Sequence, residues 1–265
     1  MKIKIYILTY KNNYVLNEWN LKTLFNSDIT NYDYEVNIIN NHSDIHINNE
    51  YINNVNIINN VLRPDQSCGH ISKDWNAAIV NGFKDLNHPD CDILICVQND
   101  EKFKQDWVSN IIKYHETYNF ITFGSGDGFM SFKPDAIKNI GLFDERFICG
   151  KQEHDYFMRA KLYNKEKSSI NDKTHNYILN SINNNVMETT LDGNDHGRED
   201  AAKLVKKTYE NYQISSRHMF TLKWGIDNST FSSMTLTGPK VFSVMLYPYF
   251  EKHVRTLKEQ LYILK

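Results

Sequence analysis

The chain has 265 residues, of which 41% are hydrophobic and 23% are charged, and its formal net charge is −2. These values are typical of a soluble globular protein with one large domain, alone or with a smaller appendage. The charge excludes a bulk basic field, so nucleic acid is not an expected partner. A phosphate-bearing ligand would need a metal ion or a helix N-terminus to bind.

Cysteine usage and the N-terminus bear on the cellular compartment. The four cysteines, Cys68, Cys91, Cys96 and Cys149, form neither a CxxC pair nor a cluster with zinc spacing. This pattern favours reduced thiols in a reducing compartment. The N-terminal apolar run is too short for a signal peptide, and no segment has the length of a membrane span. We therefore expect a cytoplasmic protein. The frequent Asn and Ile fit an AT-rich bacterial or viral genome, and a viral protein would lie in the host cytoplasm.

Hydrophobic periodicity predicts alternating strands and helices over the first 123 residues. The predicted strands are residues 3–8, 35–39, 55–58, 92–97 and 120–123. The predicted helices are residues 14–25, 72–83 with Ser72 as N-cap, and 106–115. This alternation implies an α/β fold with a mostly parallel sheet flanked by helices. Ligands of such sheets bind at the carboxyl ends of the strands, where polar residues follow each predicted strand.

The character of the chain changes near residue 200, which suggests a domain at 1–200 and a helical C-terminal extension at 201–265. Helices are predicted at 199–212 and 242–264, separated by an aromatic, irregular stretch that begins at Ser216. The apolar stripe of the second helix fits packing on the core, a homodimer contact or a peripheral membrane contact.

A carboxylate follows the most apolar predicted strand, in the segment ILICVQND that ends at Asp100. At a sheet edge such a group can hold Mg²⁺ or Mn²⁺, which prefer oxygen ligands and bridge to a diphosphate. The simpler interpretation is an Asp that caps the next turn. His196, in the predicted loop LDGNDHGRED, could add an imidazole ligand or could simply be solvated.

Two acidic residues, Glu153 and Asp155, open a further predicted helix in KQEHDYFMRA. Acidic groups in a first helical turn are stabilised by the helix dipole, which accounts for them without any catalytic role. Alternatively, one of them is a general base. Because residues two apart point in different directions on a helix, we expect only one of them to face a site.

Seven segments follow one another along the chain: ILTYKN, IINNHSD, GHISKDWNAAI, ILICVQND, GDGFMSFKPDAIKNIGLFDERF, EHDYFMR and LKWG. Their order resembles glycosyltransferase family two, which has the GT-A fold, and within it the rhamnosyltransferase-like branch. The first four segments resemble the family's opening strand, nucleotide-binding turn, following helix and Asp-x-Asp strand. The last three resemble its acceptor segment, its acidic helix and a late Lys-Trp-Gly. The resemblance covers residues 3–160 and continues more weakly to 225.

The resemblance implies an enzyme that transfers a sugar from a UDP-, dTDP- or GDP-sugar to a glycan or other acceptor, with Mn²⁺ or Mg²⁺ as cofactor. It implies Asp100 and His196 as metal ligands, Glu153 as general base of an inverting reaction, and Asp155 as the second catalytic acid. The implied donor contacts are Thr9, Tyr10, Asn40, Ser43, Asp44, Arg63, Lys73, Asn76, Gln98 and Asn99. The implied acceptor contacts are Asp127, Gly128 and Trp224. The glycines beside Asp127 would alternatively serve only the turn, and Trp224 would equally suit the core or an interface.

Three positions depart from the family pattern. Asn40 and Gln98 each replace an Asp, so Asp100 is the one carboxylate left in its motif. Glu153 replaces the catalytic Asp and reaches further. The missing acid at Gln98 keeps open a catalytically inactive GT-A domain that binds carbohydrate or nucleotide. A retaining glycosyltransferase is a second alternative, because His as a metal ligand is not confined to inverting enzymes. A nucleotidyltransferase is disfavoured because no Gly-rich basic loop follows the first strand.

Overall fold

The structure is a computed structural model that describes residues 1–9, 13–41, 45–60, 70–123, 128–167, 178–181, 187–189 and 211–223. Its centre is a seven-stranded sheet with the order β3-β2-β1-β4-β7-β6-β8. The strands are β1 (Lys2–Thr9), β2 (Asp33–Asn40), β3 (Asn56–Asn59), β4 (Ile93–Gln98), β6 (Phe120–Phe123), β7 (Phe129–Phe132) and β8 (Ile178–Ser181). A separate antiparallel pair joins β5 (Glu101–Phe103) to β9 (Met187–Thr189).

Four neighbouring strands of the sheet run parallel, and β7 runs against them. β1 pairs in parallel with both β2 and β4, β2 pairs in parallel with β3, and β7 is antiparallel to β4 and β6. The predicted α/β class with a mostly parallel sheet is therefore confirmed. The carboxyl ends of β1, β2, β3 and β4 form one edge, called the carboxyl edge below.

Helices cover both faces of the sheet. They are a π-helical segment (Val15–Leu21) that continues into α1 (Lys22–Phe25), then α2 (Ile71–Phe83), α3 (Trp107–His115), α4 (Pro134–Ile140), α5 (Gln152–Lys167) and α6 (residues 211–223). Side chains alternate along β1, so that Ile5 packs with the π-helical segment and α3, whereas Tyr6 packs with α2 and α5. This alternation explains why β1 is apolar from Ile5 to Leu8 and β4 from Ile93 to Val97, with no polar residue between. No described helix combines the length and apolarity that a membrane span requires.

Two local predictions were wrong. The N-cap of α2 is His70, whose Nδ1 accepts a hydrogen bond from the Lys73 backbone N–H at 3.3 Å; Ser72 lies inside the helix and donates to Phe147 O instead. The stretch from Ser216 to Lys223 was expected to be irregular but belongs to α6. The buried Phe220 stabilises this helix, which the local sequence pattern does not predict.

Candidate active site

Polar residues at the ends of four parallel strands lie side by side at the carboxyl edge. The strand register pairs Thr9 with Asn40 and Asn40 with Asn59, and it pairs Leu8 with Gln98. The Asn40 amide donates to Asn59 Oδ1 at 2.9 Å. Three of the predicted donor contacts, Thr9, Asn40 and Gln98, therefore share one row. Thr9 and Asn40 are largely buried, and Gln98 is half-buried.

A buried carboxylate on α2 fastens the chain just beyond β2 and β3. Asp74 Oδ2 accepts from the Asn41 side-chain amide at 3.0 Å, and Asp74 Oδ1 accepts from the Asn60 amide at 3.2 Å. The Asn60 amide also donates to Asn41 Oδ1 at 2.7 Å. Because hydrogen bonds to a carboxylate are stronger than neutral ones, this cluster holds the N-terminus of α2 against the carboxyl edge.

Asp100 lies in the tight turn between β4 and β5, directly beyond the row of strand ends. The neighbouring Asn99 bonds across to β1: its backbone N–H donates to Leu8 O at 3.1 Å and its side chain donates to Thr9 Oγ1 at 3.0 Å. From the other face, the buried Asn20 amide donates to Glu101 O at 3.0 Å. The turn is therefore held on both sides, and the Asp100 side chain is half-buried at the edge.

The π-helical segment uses a second buried asparagine to hold the chain that follows β2. Asn17 donates to His46 O at 2.8 Å and accepts from the Asn48 backbone N–H at 2.8 Å. A wider π turn changes which side chains face inward, and such turns are frequent at functional sites. Asn17 and Asn20 together connect the segment after β2 to the turn that carries Asp100.

The segment after α4 packs on the first turns of α2 and leads into α5. The Asn76 side chain donates to Phe143 O at 2.9 Å and to Glu145 Oε1 at 3.0 Å, and it accepts from the Phe143 backbone N–H at 2.7 Å. Ser72 Oγ donates to Phe147 O at 2.6 Å. These bonds hold residues 143–147, which lead into α5, against the first turns of α2.

Glu153 opens α5 with its carboxylate largely buried. Oε1 is 2.6 Å from His154 Nδ1, while Oε2 is buried and accepts no hydrogen bond from the described residues. Burial raises the pKa of Glu153, but the hydrogen bond and charge of His154, with Lys151 nearby, outweigh it and hold the pKa below its ordinary value. The carboxylate is therefore ionised at neutral pH, with one oxygen available as a proton acceptor.

Asp155 points in the other direction, into the core. Its carboxylate is fully buried between Arg159, whose Nε donates at 3.0 Å, and Lys223 of α6 at 2.5 Å. The expectation that the two acidic side chains face different ways agrees with this placement. A carboxylate enclosed by two cations is oriented as a fixed structural group.

The other described site residues are spread around this edge. Lys73 is exposed on α2, and Gly128 is buried at the start of β7, where its carbonyl accepts from the Gln98 backbone N–H at 2.9 Å. Tyr10, Ser43, Asp44, Arg63, Asp127, His196 and Trp224 lie outside the described residues.

A divalent cation fits what the described part of the edge provides. No three His, Cys, Asp or Glu side chains come together there as a metal cluster, so Asp100 would supply a protein oxygen on its own. Mg²⁺ is commonly held by one or two carboxylates, with water and substrate phosphates completing its shell. The donor set is therefore compatible with a cation that binds together with a diphosphate.

Sequence reasoning missed the buried amide and carboxylate groups that hold the edge together: Asn17, Asn20, Asn41, Asn60 and Asp74. A signal was present for the first two, since they lie three residues apart on the apolar face of the predicted first helix. A polar amide on such a face needs buried partners. For Asn41, Asn60 and Asp74 no local pattern predicts the partner.

The sequence itself gives no match, whereas the fold does. No protein-family model matches the chain, and no curated protein matches it. The structure of S. aureus TarS 1–349 superposes with a TM-score of 0.50 at 13% identity, covering 99% of this chain and 89% of that one.

Two further structures are similar at a lower score. A longer S. aureus TarS chain has a TM-score of 0.49 at 13% identity. The match covers 99% of this chain and 54% of that one, so this chain spans about half the length of the longer TarS. The Pyrobaculum calidifontis mannosyltransferase PcManGT, solved with GDP-Man and Mn²⁺, gives 0.48 at 11% identity, covering 99% of this chain and 84% of that one. At such identities the likeness concerns architecture alone, and the architecture of this chain is the α/β GT-A fold.

Proposed function

We propose that the protein is a metal-dependent glycosyltransferase that moves a sugar from a nucleotide-diphosphate sugar to a hydroxyl group of a glycan or other acceptor, with inversion of configuration. One observation carries the proposal. Side chains of α2 form hydrogen bonds both with the chain just after β2 and with the segment that leads into Glu153. The helix thereby connects this segment to the edge of a GT-A sheet at which the polar strand ends lie. Asp100 lies in the turn at that edge, tied to Thr9 through Asn99.

The donor diphosphate would lie across the strand ends beside Asp100, with His196 as a second ligand of the cation. A bound Mn²⁺ or Mg²⁺ supplies Lewis-acid neutralisation of the charge on the leaving diphosphate. The proposed contacts to the donor are residues at or near the carboxyl edge: Thr9, Tyr10, Asn40, Ser43, Asp44, Arg63, Lys73, Gln98 and Asn99. Asn76 would act indirectly, because its amide is committed to the segment after α4.

Glu153 Oε2 would accept the proton of the acceptor hydroxyl. The acceptor oxygen then forms a bond to the anomeric carbon while the bond from that carbon to the diphosphate oxygen breaks, and the nucleoside diphosphate leaves. This role is supported by the ionised carboxylate and by its buried Oε2, which accepts no hydrogen bond from the part of the chain that the structure describes. Asp127, Gly128 and Trp224 are the proposed acceptor contacts. Asp155, enclosed by Arg159 and Lys223, would orient the helix that carries the base.

The finer assignments rest on the motif resemblance. They include the rhamnosyltransferase-like branch, the inverting outcome and the choice among UDP, dTDP and GDP. A cytoplasmic location is likewise proposed from the cysteine usage; Cys91, Cys96 and Cys149 are buried thiols, and burial raises the pKa of Cys91 to about 12.

The test is release of nucleoside diphosphate from a panel of UDP-, GDP- and dTDP-sugars with Mn²⁺ and a mixture of glycan acceptors. We expect turnover of at least one donor, and its loss by on the order of 100-fold or more in Glu153→Gln, because a general base contributes about 10²–10⁴ in rate. Glu116→Gln, which changes an exposed glutamate at the end of α3, is the matched control.

Wild-type turnover in Glu153→Gln would remove the base assignment. Nucleotide binding with no turnover of any donor would favour the inactive binding module instead, for which Gln98 in place of an acid is the specific observation.

A further inference from the structure

A buried lysine at the end of α6 reaches the segment that carries the proposed base. Lys223 Nζ lies 2.8 Å from Asp144 Oδ2 and 2.5 Å from Asp155 Oδ1, and all three side chains are buried. Arg159 completes the group through its bond to Asp155, and Arg146 closes on Asp144 from the more exposed side at 2.7 Å. One ammonium group thus joins two carboxylates that come from different parts of the chain.

The two carboxylates belong to the two segments that must be aligned at the start of α5. Asp144 lies in the stretch that Asn76 and Ser72 hold against α2, and Asp155 lies in the first turn of α5, two residues after Glu153. Their separation is fixed by the cation between them. Without Lys223, Asp144 would keep Arg146 and Asp155 would keep Arg159, but no cation would join the two carboxylates, and each of them would lose a buried partner.

α6 packs along the same stretch of chain, as three further observations show. Ser216 Oγ donates to Cys149 O at 2.9 Å, and the buried Phe220 ring meets the His154 ring edge-on at 6.3 Å between centroids. At Gly150, where φ is +78°, a Cβ would lie 3.3 Å from Gln213 Cγ. Together with the bond from Lys223 to Asp144, the contacts of α6 therefore run from residue 144 to residue 155, which covers the entry to α5.

We propose that Lys223 is a positioning residue for Glu153: by joining Asp144 to Asp155 it fixes the first turn of α5, and with it the orientation of the Glu153 carboxylate towards the acceptor. This inference rests on the proposed function and adds a residue that contacts neither donor nor acceptor. It assigns α6, which follows the sheet domain in sequence, a part in the geometry of the proposed base.

The test is a double-mutant cycle on the full chain, measured with the sugar nucleotide that the wild type turns over. Lys223→Met should lower kcat by about 10- to 100-fold, since a misplacement of about 1 Å can cost that much, and leave KM for the donor unchanged. In a Glu153→Gln background the same substitution should leave the residual kcat unaltered, because the group that it positions is already gone. Lys138→Met, which removes a lysine from an exposed pair with Asp135, is the matched control.

Calorimetric titration with the corresponding nucleoside diphosphate gives the folded fraction of each variant. If Lys223→Met does not fold, Lys223→Met/Asp155→Asn, which removes one charge of each sign, carries the same comparison. Retention of wild-type kcat in the folded variant, or an equal loss in both backgrounds, overturns the inference while leaving the role of Glu153 intact. Wild-type turnover in Glu153→Gln, or no turnover in the wild type, overturns both.

Discussion

Replacing Asp74 by Ala should weaken both the fold and nucleotide binding, because this carboxylate joins α2 to the carboxyl edge. The substitution removes two hydrogen bonds, at 3.0 and 3.2 Å, from the amides of Asn41 and Asn60 to a buried carboxylate. Hydrogen bonds to charged groups contribute about 1.5–3 kcal/mol each, and part of each is regained by relaxation, so we expect a loss of about 3 kcal/mol in the free energy of unfolding. Asp74→Asn should cost a similar amount, because its amide group would face two amide donors.

Urea denaturation measures the free energy of unfolding, and calorimetric titration with the nucleoside diphosphate measures the affinity. We expect the dissociation constant to rise by roughly tenfold, as the ends of β2 and β3 lose their common anchor. Asp135→Ala, in an exposed first turn of α4, should change the free energy of unfolding by less than about 0.5 kcal/mol. A free energy of unfolding for Asp74→Ala within 0.5 kcal/mol of the wild type would refute the assigned role of this cluster.

Three further predictions concern the fold. Burial lowers the pKa of His115 to about 4, so between about pH 6.5 and 4 the unfolded chain binds a proton that the folded chain does not. The free energy of unfolding should therefore fall by about 3 kcal/mol as the pH drops through that window. His115→Gln should reduce this dependence of the free energy of unfolding on pH. Asp28→Ala should lower stability by about 2 kcal/mol, since Asp28 accepts from the Ser109 N–H and hydroxyl at 2.9 and 2.7 Å and caps α3; an unchanged urea midpoint would contradict this. Gly82→Ala should cost about 1–3 kcal/mol, because a Cβ would collide with Leu94; a stability equal to the wild type would show that Leu94 moves aside.

The sheet could be predicted from the sequence because its central strands are buried on both faces. The apolar run predicted at 92–97 is β4 at Ile93–Gln98, shifted by one residue. The parallel arrangement followed from the alternation with helices. Neither β7 nor its antiparallel direction was predicted, because a four-residue apolar strand gives a weak signal and carries no sign of its direction.

The polar framework of the candidate site was less predictable than the strands. Apolar spacing over seven residues does not separate an α-helix from the π-helical segment, so the inward direction of Asn20 was not foreseen. The pairing of Asp74 with Asn41 spans 33 residues, and that of Lys223 with Asp144 spans 79. Such contacts depend on the folded chain path, whereas the strand-end position of Asp100 depends only on the strand before it.

Metal-assisted binding of a nucleoside diphosphate is the most direct test of Asp100 as the metal ligand of a sugar-nucleotide-dependent glycosyltransferase. UDP, GDP and dTDP should be titrated calorimetrically into the wild type and into Asp100→Ala, each with and without Mn²⁺. We expect at least one nucleotide to bind about tenfold or more tightly with Mn²⁺, and we expect Asp100→Ala to abolish this gain while retaining the metal-independent affinity. Binding that Mn²⁺ does not strengthen, or an equal gain in Asp100→Ala, would contradict this role of Asp100.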